Sequence, residues 1–413
     1  MESPAMPLDP KPRSSARLRR SKMRNISVLA FSLSLLTGAA LADKPPFDCA
    51  KKSLASAVAE ADDTSVQFTG ICSGPIVIRT DGLRLTGVGI AVIDGAGQDA
   101  VTVAGAHGVS LTNIEVRNGA NGVVGTNGAH LSLTDANIHD NQLSGISLRT
   151  ASSGALSGVT VSHNGLHGLT VETGSAATIT GSFSSSNNRV FGVNVNGSAL
   201  TFSRADATVN NNAVGMQVAT GANAFINDSS TSLNLTNNQA VGLTVVSGAH
   251  MVSFGGAIKA SGNPVNGVTL NSKAGLDLDA GSTLESFNNG DGLQVQQNSE
   301  MTVFNTPQFS GVSGFSAVNC HNNRGNGIRI RNASSLKISN QAKVISTGNG
   351  ANGLVADDGA DIVLVNSTVT GNAIKDLQLT FGSRADLQTS TVGTFGCDAT
   401  VLVRGTSGIT CPQ

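Results

Sequence analysis

The sequence predicts an all-β solenoid of about 12 coils, in which each coil contributes three short parallel strands and a helix caps the N-terminal end. Three observations support this fold: an apolar motif that recurs along the chain, an asparagine at a fixed distance before each copy, and an unusual composition. The 413 residues include 49 Gly and 14 Phe but no Trp or Tyr, and only 13% are charged. Apolar residues recur throughout the chain instead of being depleted, so a periodic structure must distribute them along its core.

The repeat is a four-residue motif of glycine, an apolar residue, any residue and a second apolar residue. Copies such as GISL, GLTV and GVNV follow one another at intervals of 23 to 35 residues, and an eleventh copy, DLQL, has Asp376 in place of the glycine. A period of this length is typical of a solenoid. The anchor glycines are Gly122, Gly145, Gly168, Gly192, Gly215, Gly242, Gly267, Gly292, Gly327 and Gly353.

An asparagine lies four residues before each of the eleven anchors. Asparagine tolerates the left-handed backbone conformation of a sharp bend, and its amide both donates and accepts hydrogen bonds. Stacked coils would align these amides into a ladder, as in other stacked β structures. The predicted ladder residues are Asn118, Asn141, Asn164, Asn188, Asn211, Asn238, Asn263, Asn288, Asn323, Asn349 and Asn372.

Each period also contains two further alternating segments, for example 109–111 and 114–116, which gives three strands per coil. Alternation at a period of two sends one set of side chains into a single core column. The open end of such a column needs a cover, and the segment before the first coil has apolar residues on one helical face. That face of the predicted capping helix carries Leu54, Ala57, Val58 and Ala61.

The first 42 residues are expected to be absent from the mature protein. Residues 23–42 combine a basic start, an apolar stretch and small residues at Ala40 and Ala42, which is typical of a secretory signal peptide. Residues 1–22 are interpreted as an extension of the gene model ahead of Met23. The mature chain then divides into an N-terminal cap with its helix (43–75), the solenoid (76–396) and a C-terminal cap stapled by a disulfide (397–413).

Charge and hydropathy restrict the partners of the mature protein. Without residues 1–42, the chain has 19 Lys and Arg against 25 Asp and Glu, a net charge of −6. This balance argues against nucleic acid and anionic membrane surfaces. No later segment has the ~20 consecutive apolar residues of a membrane-spanning helix. We therefore expect a secreted or periplasmic protein without a membrane span, whose partner is not a nucleic acid.

Four of the five cysteines lie where the solenoid ends. Cys49 and Cys72 bracket the predicted helix, and Cys397 and Cys411 bracket the last strand, so we predict one disulfide bond at each end of an exported protein. Cys320 lies three residues before Asn323, where other coils have apolar residues. It is predicted to be a buried, inert thiol.

These features resemble the pectin-lyase-like superfamily of right-handed parallel β-helix proteins. The asparagine column and the opening segment SLASAVAEADDTSVQFTGICSGPIVIRTDGLRLTGVGIAVIDGAGQDAVTV carry the resemblance, which covers nearly all of residues 49–411. It implies a right-handed coil. It does not choose an activity, because the superfamily includes pectate lyases, polygalacturonases, alginate epimerases and many proteins with no assigned reaction.

The expected active sites of this superfamily find only weak counterparts. The resemblance implies calcium-binding Asp residues and a catalytic Arg for a lyase, and paired Asp residues for a hydrolase. The best concentration of charge on neighbouring predicted coils is the set Asp277, Asp279, Glu300, Arg329, Arg331 and Lys337. If the protein is a lyase, the acids would bind calcium and an Arg or Lys would act as the base. The alternative interpretation is a row of exposed charges, with no cofactor.

The longest interval between anchors, from Gly292 to Gly327, contains the insertion Asn305 to Gly314. Loops on rigid scaffolds often carry function, so this loop is the predicted binding feature, and a plain insertion is the alternative. The candidate binding residues are Phe304, Asn305, Phe309 and Phe315.

Outward positions of the motif strands form a nearly neutral polar stripe that includes Thr170, Thr244 and Thr269. Such a stripe either binds a glycan or keeps the sheet soluble through ladders of side chains.

The segment SHNGLHGLTVETGS contains His163 and His167, which are predicted to flank the bend at Asn164 on the outside and not to form an active site. His107 and His130 share an offset one coil apart and are predicted to stack without an acidic partner. Taken together, the sequence favours an exported, non-catalytic carbohydrate-binding or cell-envelope-associated scaffold. The alternative is a polysaccharide lyase or another carbohydrate-active enzyme.

Overall fold

A computed structural model of the protein describes residues 45–61, 65–306, 314–405 and 411. The predicted signal peptide and the segment before it lie outside these residues. The described chain forms two sheets in which every paired strand runs parallel to its neighbours, with one short helix, α1, at Leu54–Ala59.

The smaller sheet has fourteen described strands, one for each coil. They are Ile76–Ile78, Val101–Ala104, Val123–Thr126, Ile146–Leu148, Leu169–Glu172, Phe191–Asn196, Val214–Ala219, Val241–Val246, Asn266–Asn271, Asp291–Val295, Ile328–Ile330, Leu354–Ala356, Leu377–Leu379 and Phe395–Cys397.

The larger sheet has twenty-five described strands, mostly two for each coil. They are Phe47–Asp48, Ser65–Ser73, Arg84–Asp94, Val109–Thr112, Glu115–Arg117, His130–Thr134, Asn137–His139, Ser153–Ser162, Ala176–Ser186, Ala199–Asn210, Asn223–Asn227, Ser232–Thr236, His250–Phe254, Ala257–Ser261, Gly275–Asp279, Thr283–Phe287, Glu300–Val303, Ala317–His321, Ser335–Ile338, Lys343–Thr347, Asp361–Val365, Thr368–Thr370, Arg384–Gln388, Thr391–Val392 and Leu402–Gly405.

Three strands per coil are confirmed, and the coil beginning at His130 shows the pattern. His130–Thr134 and Asn137–His139 belong to the larger sheet, and Ile146–Leu148 belongs to the smaller one. In the next three coils the first two strands merge into one long bent strand, as in Ser153–Ser162. Buried apolar side chains from all three strands fill one continuous core that includes Phe183 and Phe202.

The coil count of about 12 is too low, because the smaller sheet has fourteen described strands. The glycine-led motif marks eleven of these coils. The strands Ile76–Ile78, Val101–Ala104 and Phe395–Cys397 follow Pro75, Ala100 and Thr394 instead of glycine. A count based on the motif alone misses such coils.

The anchor glycines are required by close packing between coils. A Cβ atom built on Gly215 would lie 2.4 Å from the carbonyl oxygen of Gly242 and 2.7 Å from Nδ2 of Asn238, and the other internal anchors are similar. These glycines have no positive φ, so their role is to make room for the next coil and for the ladder amide.

The asparagine ladder is present, but three of its eleven predicted members are wrong. Ten buried or nearly buried amides form the column: Asn141, Asn164, Asn188, Asn212, Asn238, Asn263, Asn289, Asn323, Asn349 and Asn372. In each step the backbone N–H and Nδ2 of one asparagine donate to Oδ1 of the asparagine in the next coil, at 2.8–3.1 Å and 2.8–3.2 Å for the nine steps.

Asn118, Asn211 and Asn288 lie one residue before the ladder and not in it. Each has φ of 55°, the left-handed conformation, which in other coils belongs to residues such as Asp140 and His163. In the coils of Asn211 and Asn288, the segment between ladder and anchor is one residue shorter, so a fixed offset from the glycine points to the wrong asparagine. After Asn118, Gly119 takes the ladder position, and its N–H donates to Oδ1 of Asn141 at 2.9 Å.

The ladder ends on a carboxylate. Oδ1 of Asp376 accepts from N and Nδ2 of Asn372 at 2.9 and 2.8 Å, and Oδ2 accepts from N and Oγ1 of Thr394 at 2.7 and 3.1 Å. Burial acts to raise the pKa of Asp376, but the hydrogen bonds from Asn372 and Thr394 outweigh it and hold the pKa below its usual value. All ladder amides point their N–H groups toward this end, so the negative charge complements their aligned dipoles.

A second, interrupted ladder runs in the opposite direction. Asn121 donates to Oδ1 of Asp99, and farther along the solenoid Asn352 donates to Asn326, which donates to Oδ1 of Asp291. Here too the N–H end of the amide chain meets a carboxylate. The DLQL copy and these aspartates therefore have the same physical role of terminating an amide column.

The N-terminal cap contains the predicted helix, and both predicted disulfide bonds are present. Ser53 caps α1, whose Leu54 and Val58 are buried against the first strands. Cys49 is bonded to Cys72 with a Cα–Cα distance of 5.0 Å. The second bond joins Cys397 and Cys411, with a Cα–Cα distance of 5.6 Å. Cys320 is free and buried, and burial raises the pKa of its thiol, so it is held as an inert thiol.

Candidate functional site

The structure separates the six candidate catalytic residues. Asp277, Glu300 and Lys337 are on the larger sheet, where Glu300 pairs with Lys337 and Asp277 pairs with His250. The ring of His250 lies over Gly275, where an added Cβ would be 2.2 Å from its Cδ2. The hydrogen bond that Nε2 of His250 donates to Oδ2 of Asp277, at 3.2 Å, raises the pKa of His250 above its ordinary value.

The other three candidates have structural partners elsewhere. Arg329, on the smaller sheet, pairs with Asp357 at 3.0 Å, and Arg331 donates to Oε1 of Gln296. Asp279 is buried and accepts from the N–H of Ala280 and from N and Oγ1 of Thr306.

No group of three His, Cys, Asp or Glu in the described chain is arranged to hold a metal ion. Asp277, Asp279 and Glu300 belong to no such group, and the six candidates have separate partners, so their calcium-binding and catalytic roles stay predictions.

The candidate binding loop is described only at its two ends. Oδ1 of Asn305 accepts from the N–H of Gly281 and from N and Oγ of Ser316, so its amide fastens the loop to the solenoid. Phe304 is half-buried and Phe315 is 56% exposed. Phe309 lies outside the described residues, so the loop stays a prediction.

The predicted outer histidines take structural positions. His163 has the left-handed conformation at the bend. His167 is partly buried and stacks on Phe191 with ring centroids 5.1 Å apart, and burial lowers its pKa to about 4. His107 and His130 contact edge to face at 4.7 Å.

A surface that the sequence analysis missed lies on the larger sheet, on the strands that lead into the ladder. Two adjacent outward rows carry only hydroxyl and amide side chains, one through four successive coils and the other through five. We call these rows the hydroxyl track: Thr160, Ser184, Thr208 and Asn234 form one row, and Ser162, Ser186, Asn210, Thr236 and Ser261 form the other. At about 4.8 Å per coil, the track is about 19 Å long.

The polar groups of the track are available to a ligand. Of its nine side chains, only Asn234 hydrogen-bonds another described residue, with a 3.4 Å contact to Oγ of Ser232. By contrast, the ladder amides hydrogen-bond one another from coil to coil. The track therefore presents unpaired donors and acceptors at a regular spacing.

A mixed charged cluster lies at the N-terminal end of the track. Oε1 of Glu115 contacts NH1 of Arg117 at 3.0 Å and Nε2 of His139 at 3.4 Å. Nδ1 of His139 is 2.7 Å from Oδ2 of Asp140, and Nε of Arg117 is 3.7 Å from Oδ2 of Asp94. The imidazole thus lies between two carboxylates, and the guanidinium of Arg117 holds one of them.

This cluster borders an open groove of about 470 Å³ that reaches the track. Glu115, Asp135 and Asn137 line its polar side, and Thr160 is the first residue of the track. Its other wall includes Ile90, which is 73% exposed. The strands Ser65–Ser73 and Arg84–Asp94 pair with each other, but residues 88–90 of the second strand have no partner in the first. These extra residues form the apolar wall of the groove. The groove combines an apolar wall with acidic and amide groups.

A second charged cluster lies at the far end. Lys259 follows Asn234 in its row, is 3.7 Å from Glu285 and lies over the ring of Phe287 at 4.9 Å. His321 stacks on Phe287 at 5.0 Å and contacts Oε1 of Glu285 at 3.2 Å. The uncharged track is therefore bounded by an acid–base cluster at each end.

One comparison with known proteins supports the fold. Residues 76–240 match the family model described as a right-handed β-helix region. None of the curated proteins compared with the chain matches it.

Similar solved structures include the A-module of a mannuronan C-5 epimerase from Azotobacter vinelandii, with 15% identity and a TM-score of 0.47, covering 82% of this chain and 93% of that one. A periplasmic alginate epimerase has 10% identity and a TM-score of 0.41, covering 87% of this chain and 82% of that one. Tailspike protein 2 of bacteriophage CBA120 has 12% identity and a TM-score of 0.30, covering 78% of this chain and 43% of that one.

These likenesses concern the course of the backbone and carry no information about substrate. No helix in the described chain is long and apolar enough to cross a membrane. The described strands form a parallel β-helix, as the sequence predicts, and the family model that matches residues 76–240 describes a right-handed β-helix region.

Proposed function

We propose that the protein is exported and binds an extended polysaccharide along the hydroxyl track, with the polymer parallel to the solenoid axis. The observation that carries this proposal is the set of nine outward Ser, Thr and Asn side chains, eight of which have no hydrogen-bond partner among the described residues. Hydroxyls and amides both donate and accept hydrogen bonds, which suits the hydroxyl groups of sugars. Export is supported by the predicted signal peptide and by two disulfide bonds.

Rigidity supports a binding role for this surface. Every strand that carries the track pairs on both sides in register with its copies in neighbouring coils. The track residues are therefore positioned before a ligand arrives, and little conformational entropy is lost on binding. A polymer that repeats along the axis would meet the same pair of side-chain positions in each coil.

The proposal is tested by replacing hydroxyl side chains of the track with apolar ones. The double variant S184V/T208V takes away two hydroxyls in adjacent coils, and the control T244V/T269V makes a comparable change on outward positions of the smaller sheet. Affinity electrophoresis and calorimetry on a panel of soluble polysaccharides measure the result. At about 1 kcal/mol for each hydrogen bond, the track variant should bind about tenfold or more weakly, and the control should match the wild type. Equal loss in both variants would contradict the proposal.

A second candidate function is supported by the cluster at the groove. His139 between Glu115 and Asp140, with Arg117 on Glu115, provides a base, acids and a cation beside a cavity next to the track. Such a set could transfer a proton during cleavage of a bound polysaccharide.

Product formation by the wild type and by H139Q tests this candidate, with H163Q as the control at an exposed bend. Activity that is lost in H139Q and retained in H163Q would establish an enzyme. Equal product formation in all three proteins, or none in any, would exclude this role for His139.

A further inference from the structure

We infer that the polymer bound by the hydroxyl track is a neutral polysaccharide and not a polyuronate; this inference rests on the proposed function. The ligand class follows from the charges on and around the track. A polyuronate carries a carboxylate on each sugar residue, and each carboxylate that loses water on binding needs a cation or several donors in its place.

The track offers no cation to such a polymer. From Thr160 to Asn234 in one row, and from Ser162 to Ser261 in the other, the side chains are only Ser, Thr and Asn. Four successive coils therefore provide hydrogen bonds of the neutral kind alone, and Lys259 occupies the first row in the fifth coil. A charged ligand would place several carboxylates over this stretch without a countercharge on either row.

The two cations that border the rows are already paired. Arg117 contacts Glu115 at 3.0 Å, and Lys259 contacts Glu285 at 3.7 Å. A carboxylate on the ligand would have to compete with these acids for the same donors. The charge of each border pair is close to zero, so neither end attracts an anion.

The remaining charges near the rows are mainly acidic. Asp206 lies two residues before Thr208 on the same strand, is exposed and accepts from Oγ of Ser232 at 2.6 Å. Asp135 lines the groove, and Asp94 and Asp140 belong to its cluster. Arg204, at the bend before Asp206, is a cation outside the two rows. Acidic groups at these places repel a polyanion and leave a neutral polymer unaffected.

The apolar wall of the groove fits the same ligand class. Exposed Ile90 offers a surface to the C–H face of a sugar ring, while Glu115 and Asn137 lie on the polar side, where they can accept hydrogen bonds from sugar hydroxyls. An ionised carboxylate accepts from hydroxyl groups and repels another carboxylate, so the same groove discriminates between the two kinds of polymer.

Calorimetry with matched polymers tests the inference. The neutral probes are galactomannan, xyloglucan and mixed-linkage glucan, and the anionic probes are polygalacturonate and alginate. The wild type should bind at least one neutral probe at least tenfold more tightly than either anionic probe, with little dependence on salt. The variant T208K/N234K places two cations on the track and should gain binding to the anionic probes, whereas T244K/T269K on the smaller sheet should not.

Each other outcome overturns a specific statement. One contrary result is salt-sensitive binding of polygalacturonate or alginate by the wild type that is as tight as its binding of the neutral probes and is weakened in S184V/T208V. This result would contradict the inference that the ligand is neutral and would leave the track as the binding surface. If R204Q abolishes that binding, a cation outside the rows determines the ligand class. Binding of none of the five polymers, or binding unaffected by S184V/T208V, would contradict the proposed function itself.

Discussion

Asn211 and Asn212 are adjacent in sequence but have different surroundings, and replacing each of them tests the ladder directly. Asn212 is fully buried, and its Oδ1 accepts from N and Nδ2 of Asn188 at 2.8 and 3.0 Å. Its Nδ2 is 3.2 Å from Oδ1 of Asn238 and donates to the carbonyl oxygen of Ser185 at 3.1 Å. Asn211 is exposed and has the left-handed conformation that glycine adopts without strain.

The expected effects differ by several kcal/mol. In Asn212→Ala, two buried N–H donors of Asn188 lose their acceptor, and each such group costs about 1–3 kcal/mol, so the free energy of unfolding should fall by about 4 kcal/mol. In Asn211→Gly, no described side-chain hydrogen bond is lost, and the change should stay within about 0.5 kcal/mol. Urea unfolding followed by circular dichroism measures both variants.

The opposite ranking would refute the reasoning. If Asn211→Gly were the more destabilising change, the fixed four-residue offset read from the sequence would be correct and the ladder seen in the structure would be wrong. Similar losses in both variants would mean that the ladder amide contributes no more than the bend. Hydrogen exchange adds a local check, because the strand Ala199–Asn210 should lose protection only in Asn212→Ala.

Three further predictions concern packing and charge. Gly215→Ala should lower the free energy of unfolding by about 2–3 kcal/mol, because the added Cβ would lie 2.4 Å from the carbonyl oxygen of Gly242. Urea unfolding measures this change, and an unchanged free energy would show that the coils can separate at no cost. Asp376→Asn should lower the free energy of unfolding at pH 7 and match the wild type near pH ~2. A carboxyl whose pKa is lowered in the folded state stabilises the fold above its unfolded pKa of 3.8, and this contribution is lost as the pH falls through the folded pKa. A difference between variant and wild type that does not change with pH would show that the charge of Asp376 is irrelevant. The pKa of His250, measured by NMR, should fall toward 6.5 in Asp277→Asn, and an unchanged pKa would show that Asp277 is not the cause of the raised value. The ion pair of His250 stabilises the fold fully below the unfolded pKa, and this contribution is lost as the pH rises through the folded pKa.

Most of the fold could be predicted from local sequence, since each coil repeats one pattern. The period, the three strands, the cap with Leu54 and Val58 and the disulfide bond between Cys49 and Cys72 follow from apolar spacing and position. The three ladder errors have one cause: a fixed offset from glycine cannot register a turn that is one residue shorter.

The candidate site was much less accessible from sequence, because it depends on which residues meet across coils. Glu115 and His139 are 24 residues apart, and their contact follows from the register that pairs Arg117 with His139. The set around Asp277 was inferred from sequence proximity, which brought together strands of both sheets. A signal for the track was present as alternating Ser, Thr and Asn before four successive ladder residues, but the polar stripe predicted from the sequence lies on the motif strands of the smaller sheet.

A crystal structure of the protein with a neutral oligosaccharide that it binds is the most direct test of how it functions. We expect sugar rings in line with the solenoid axis over Thr160 to Ser261, with hydroxyl groups hydrogen-bonded to Thr208 and Asn210 and one end directed toward the groove at Glu115. Sugar density on the smaller sheet, with the side chains of the hydroxyl track left uncovered, would contradict the account.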